Sequence, residues 1–137
     1  MLSHESLTVY QRAIQFVAWS SALAAEKQVS GVLLDQFKRA FISIPLNIAE
    51  GSGKHSGKDQ ARFYDIARGS TLECGACLDV LVAMDGAQST DIKRGKEFLA
   101  EIVAMLTALA RRVASDREQN AEGGLRGGGW RGKKLGR

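Results

Sequence analysis

One proline, two cysteines, two histidines and few aromatics are what this sequence has least of. The scarcity of proline and aromatics, beside 45% hydrophobic residues, suits a helical globular chain with one core. No apolar run approaches the ~20 residues a membrane-spanning helix needs. The first residues show no basic segment followed by an apolar one, so no export signal is expected, and the cytoplasm is the expected location. Cys74 and Cys77 form a C-x-x-C, but a zinc site needs a second ligand pair, and His4 and His55 stand isolated. The two cysteines fall mid-helix on an apolar stripe, where buried free thiols in a reducing compartment are expected. No metal and no cofactor is expected.

The net charge is unevenly divided along the chain. Residues 1–122 carry 14 Lys and Arg against 15 Asp and Glu, whereas residues 123–137 carry five basic residues and no acid. The formal charge of +4 is therefore a property of the end of the chain, and the body is close to neutral. Seven of those last fifteen residues are glycine. Such a segment cannot bury enough apolar area to offset its ordering entropy, so a disordered tail is expected over 116–137. Arg126, Trp130, Arg131, Lys133, Lys134 and Arg137 resemble the glycine- and arginine-rich tails in which cations meet phosphates and an aromatic stacks on a base.

The rest of the chain reads as four helical stripes. Val9, Ala13, Phe16, Val17, Ser20, Leu23 and Ala24 recur at helical spacing and predict a first helix over 8–26. Leu33, Phe37, Ala40, Phe41, Ile44 and Ile48 predict a second, interrupted by Pro45, where a kink is expected. The amide of Asn47 is placed to serve polar groups freed there. Gly51-Ser52-Gly53 should end this helix by supplying positive φ, and Ser56 should cap the next. The third stripe is Phe63, Ile66, Ala67, Ser70, Cys74, Cys77, Leu78 and Leu81, with Gly69, Gly75 and Ala76 inside it as sites of close approach to helix two. Ile92, Gly95, Leu99, Ile102, Leu106, Leu109 and Val113 form the fourth. Tyr10, Trp19, Phe98 and Met105 lie at the edges of their stripes and are candidates for a subunit contact. The expected architecture is an all-α, antiparallel up-down-up-down four-helix bundle over 1–115.

The hairpin between helices two and three carries a resemblance. Ser43-Ile44-Pro45, Asn47-Ile48-Ala49-Glu50-Gly51, Ser56, Arg62-Phe63, Ile66 to Ser70 and Glu73 match the pattern of the 23S rRNA-intervening sequence proteins, and Val9-Tyr10-Gln11 matches its opening. Leu46 and Lys54 depart from it, standing where a small polar residue and an arginine are common. The chain resembles this bacterial family over about residues 5–113. The resemblance implies a four-helix bundle, often a homopentameric ring, with no established catalytic residues. It extends to the accessory protein of diversity-generating retroelements, which uses a basic surface to bind nucleic acid and reverse transcriptase. Pro45, Asn47, Glu50, Gly51, Arg68, Gly69 and Glu73 are the positions of the motif with an expected structural role.

No serine or cysteine has an identifiable base, and no Glu-x-x-His occurs for a di-iron site, so an enzyme is not expected. The turn Ser52 to Asp59 lacks the spacing and preceding strand of a phosphate loop. The candidate nucleic-acid contacts are Lys54, Lys58 and Arg62 around that turn, Lys93, Arg94 and Lys96 at the start of helix four, and the tail cations. The expected function is a non-catalytic, oligomeric scaffold that binds nucleic acid, RNA before DNA, or docks a nucleic-acid-processing partner. The alternatives are a protein-only adaptor and, third, a small-molecule enzyme.

Overall fold

The computed structural model describes residues 2–128, with side chains over 2–115. A 3-10 turn at Ser3–Ser6 leads into α1 (Thr8–Glu26), α2 (Gly31–Ser52), α3 (Gly57–Ala83) and α4 (Ser89–Gly128). The backbone of α4 is helical past Ser115, where the apolar periodicity ends. The expected disordered tail lies outside the residues whose side chains are described, and from 129 outside the described residues altogether.

Contacts between side chains fix the topology. Ser43 of α2 meets Ser70 of α3, while Gly51 meets Tyr64. Arg68 of α3 meets Thr107 of α4, while Asp79 meets Lys96. Arg12 of α1 meets Glu101 of α4, while Lys27 meets Asp91. In each pair one number rises as the other falls, so neighbouring helices run antiparallel and the bundle closes between α1 and α4. The α1–α2 and α3–α4 connectors share one end, here called upper. The 3-10 turn, the α2–α3 turn and residues near 112 of α4 share the lower end.

The core joins all four stripes: Phe16, Ile44, Ile48, Leu78, Ile102 and Leu106 are its largest fully buried apolar side chains. Phe98 is buried against Phe16, and Trp19 stacks on Phe16 with its ring over Gly95, so close that a Cβ there would overlap the indole. These two aromatics hold α1 against α4, Phe98 buried and Trp19 half-buried. Tyr10 and Met105 are half-buried against the same core.

The third stripe is turned relative to its expectation. Tyr64 and Thr71 are buried, Phe63 and Ser70 are half-buried, and Ile66 is exposed. Thr71 can sit inside because its hydroxyl donates to the Ala67 carbonyl at 2.7 Å. The interior glycines do not bring α3 close to α2: Gly69 faces open space and Gly75 meets only Leu99 of α4. The close approach comes from Gly51, where a Cβ would stand 2.7 Å from the Tyr64 ring.

The α2–α3 turn also differs. Gly53 has φ −88°, and its N–H reaches the carbonyls of Ala49 and Glu50 at 3.3 and 3.2 Å. Tightening the last turn satisfies those carbonyls without a left-handed residue. Left-handed backbone appears instead at the upper connectors, at Gln28, Gly31 and Asp85. Asn47 turns back on its own helix, donating to the Ser43 carbonyl and hydroxyl at 2.9 Å each, rather than to the Phe41 carbonyl that Pro45 leaves without its usual donor.

Candidate nucleic-acid interface

The α2–α3 turn places its three cations differently. Ser56 caps α3, its hydroxyl accepting from the Asp59 N–H at 3.1 Å, which fixes where Lys58 and Arg62 emerge. Lys58 is exposed, and no carboxylate pairs with it among the described residues. Arg62 is exposed with its guanidinium 4.5 Å from the centre of the Phe63 ring. Lys54 lies 5.1 Å from the same ring centre, and 3.5 Å from Glu50 one turn back. Lys54 is thus partly neutralised, and Lys58 is the freest of the three.

Lys93, Arg94 and Lys96 sit at the upper end, separated from the turn by the length of α3, roughly 40 Å for 27 residues. Lys96 is bonded to Asp79 at 2.7 Å, and Arg94 to Glu97 at 3.3 Å with its guanidinium 4.1 Å from the Phe98 ring centre. Only Lys93 of this group is exposed without a carboxylate partner among the described residues. The two sequence clusters therefore do not form one patch. The tail cations, from Arg126 to Arg137 with Trp130, lie outside the residues whose side chains are described.

Two cations that sequence reasoning passed over join the lower end. Arg111 and Arg112 are exposed on α4, one turn beyond the Thr107 that meets Arg68. The antiparallel register brings them beside the first turns of α3. Arg112 lies near enough to Tyr64 to oppose the upward shift that burial imposes on that phenol. The signal was the adjacent pair itself, which acquires meaning only once α3 and α4 are known to run antiparallel. Asp59, Asp65 and Glu50 share this end, so its positive charge is local. Of the motif positions, Pro45 is buried, Asn47 donates to Ser43, Gly51 packs against Tyr64, and Arg68 donates to Thr107 of α4. Glu50 pairs with Lys54, whereas Gly69 and Glu73 are exposed.

Other chemistry is poorly supplied. Among the described residues no group of three His, Cys, Asp or Glu side chains could hold a metal ion. Cys74 and Cys77 are free and buried, and burial, then the neighbouring Cys77 and Glu73, pushes the Cys74 thiol far up. A groove of about 440 Å³ opens between the start of α2 and the end of α3, lined mainly by Val32, Leu33, Ala76, Val80 and Met84. Its lining also includes Glu73 and Cys77, and burial, then the Glu73 charge, pushes the Cys77 thiol up and so disfavours the nucleophilic thiolate. No helix among the described residues is long and apolar enough to cross a membrane.

The fold defines a four-helix bundle whose sequence ends in a basic segment. The family model of the 23S rRNA-intervening sequence protein matches residues 5–108. The chain belongs to that family. No curated protein matches it.

Proposed function

We propose that this chain is a non-catalytic, oligomeric helical scaffold of the bacterial cytoplasm that binds nucleic acid through its lower end. The observation that carries this reading is that Lys58, Arg111 and Arg112, all exposed, lie toward the same end of the bundle, from which α4 leads toward the basic residues 123–137. Phosphate contacts of this kind position a nucleic acid without reading its sequence. RNA is preferred over DNA on the strength of the family's name alone. A homopentameric ring, which the resemblance implies, is part of the proposal; Val32, Ile42 and Leu46, exposed on α2, favour some self-association.

The test is fluorescence anisotropy of a labelled RNA and the same sequence as DNA, titrated with full-length protein at several salt concentrations. Affinity should fall steeply with salt and vary little with sequence, and Lys58→Glu with Arg111→Glu should weaken it. Absence of binding to either nucleic acid at low salt overturns the proposal. A pull-down that returns the same protein partners with and without nuclease favours the protein-only adaptor, for which the exposed α2 residues are the supporting observation.

A further inference from the structure

The outward face of α3 carries an unexplained cost. Gly69 lies in the middle of a 27-residue helix, where glycine costs about 1 kcal/mol relative to alanine. A Cβ at this position would meet nothing within 4 Å. The chain's own packing therefore gives no reason for a glycine. Around it the face is unusually apolar for solvent: Leu72 is 52% exposed, Val80 44% and Ile66 41%.

These residues follow a seam. Arg62, Asp65, Gly69, Leu72, Ala76 and Asp79 are all exposed and recur at alternating spacings of three and four, the pattern by which two helices pack side by side. Lay a second α3 along the first in the opposite direction, with the two-fold axis between Ser70 and Thr71. Gly69 then faces Leu72 of the other copy, so that the largest side chain of the seam enters its smallest position. Asp65 faces Ala76. Arg62 faces Asp79, whose side chain is 65% exposed despite its bond to Lys96. By symmetry each pairing occurs twice. A parallel alignment instead sets Arg62 on Arg62, Asp65 on Asp65 and Asp79 on Asp79, and leaves a void between two glycines. The same face is self-complementary in one direction and self-repelling in the other.

We infer that α3 is a docking face for a second copy of this chain, packed antiparallel about a two-fold axis. A helix face ~40 Å long and ~10 Å wide covers roughly 400 Å² per partner, about half of a standard interface, so the contact is weak and forms at micromolar concentrations or above. It is separate from any ring contact: a ring that forms through other faces would be doubled by it.

The experiment measures particle mass of the full chain by light scattering at tens of micromolar. Arg62→Asp and Asp79→Arg each place two like-charged pairs across the contact, one on either side of the axis, and should each halve the mass. The double variant restores both pairs in reversed sense and should restore the mass. Gly69→Trp, which has open space within its own chain, should halve the mass while leaving the helical circular dichroism unchanged. A mass insensitive to both single reversals overturns the inference, as does a mass that the double variant fails to restore. A chain that is monomeric at these concentrations, or that forms only an odd-numbered particle, overturns it as well.

Discussion

Replacing glycine by alanine at two positions should move stability in opposite directions. At Gly69 the added methyl meets open space, and only the helix preference remains, a gain of about 1 kcal/mol. At Gly51 the same gain is opposed by a Cβ standing 2.7 Å from Cε1 and 3.0 Å from Cδ1 of Tyr64, and 3.1 Å from the Phe63 Cβ. Tyr64 is only 3% exposed and cannot swing away into solvent. Overpacking of a filled interior costs about 1–3 kcal/mol, so Gly51→Ala should lose about 1 kcal/mol net. The two variants should then differ by about 2 kcal/mol. For a domain of this size that is a separation in melting temperature of about 8 °C, with the parent between them. Thermal unfolding followed by circular dichroism, at a concentration low enough to keep the chain dissociated, reads this directly. If Gly51→Ala melts as high as Gly69→Ala, the hairpin is not closed by contact between Gly51 and Tyr64.

Removing the cap of α3 by Ser56→Ala should lower unfolding free energy by about 1 kcal/mol, seen as a lower denaturant midpoint with unchanged slope. Ile48→Ala, at a fully buried position where α2 meets the core, should cost about 2–5 kcal/mol by the same measurement. Burial raises the Cys74 thiol above its unfolded value, so the folded chain holds a proton that the unfolded chain releases above about pH 8.5. That contribution is fully present below this pH and is lost as pH rises, by about 1.4 kcal/mol per pH unit. Denaturant titrations between pH 8 and 10 should show a steeper decline in the parent than in Cys74→Ala, and equal slopes would contradict the buried thiol.

Helix positions were legible because apolar spacing encodes them: α1 begins and ends where Val9 to Ala24 predict. The turning of the third stripe was not, because Thr71 is polar in isolation and becomes a core residue only when its hydroxyl bonds its own helix. Trp19 read as an edge residue since nothing in α1 shows that Gly95, on a different helix, leaves room for its ring. The candidate interface was half legible. Lys58 and Arg62 share a helix face that four-residue spacing reveals, but that Arg111 and Arg112 lie toward the same end depends on the register of α3 against α4. That register is set by contacts such as Arg68 with Thr107, between residues nearly forty positions apart. Separation of the upper and lower cation groups likewise follows from helix direction, which charge counting does not contain.

Binding of nucleic acid by the lower end is tested most directly by the salt dependence of RNA affinity in the full chain and in Lys58→Glu/Arg111→Glu. Each phosphate contact contributes about −0.9 to the slope of log affinity against log salt on a duplex, or about −0.7 on a single strand. Removing two contacts should flatten the slope by roughly 1.4–1.8 and weaken binding at every sequence tried. A double variant with the parent's affinity and slope would show that the lower end of the bundle takes no part.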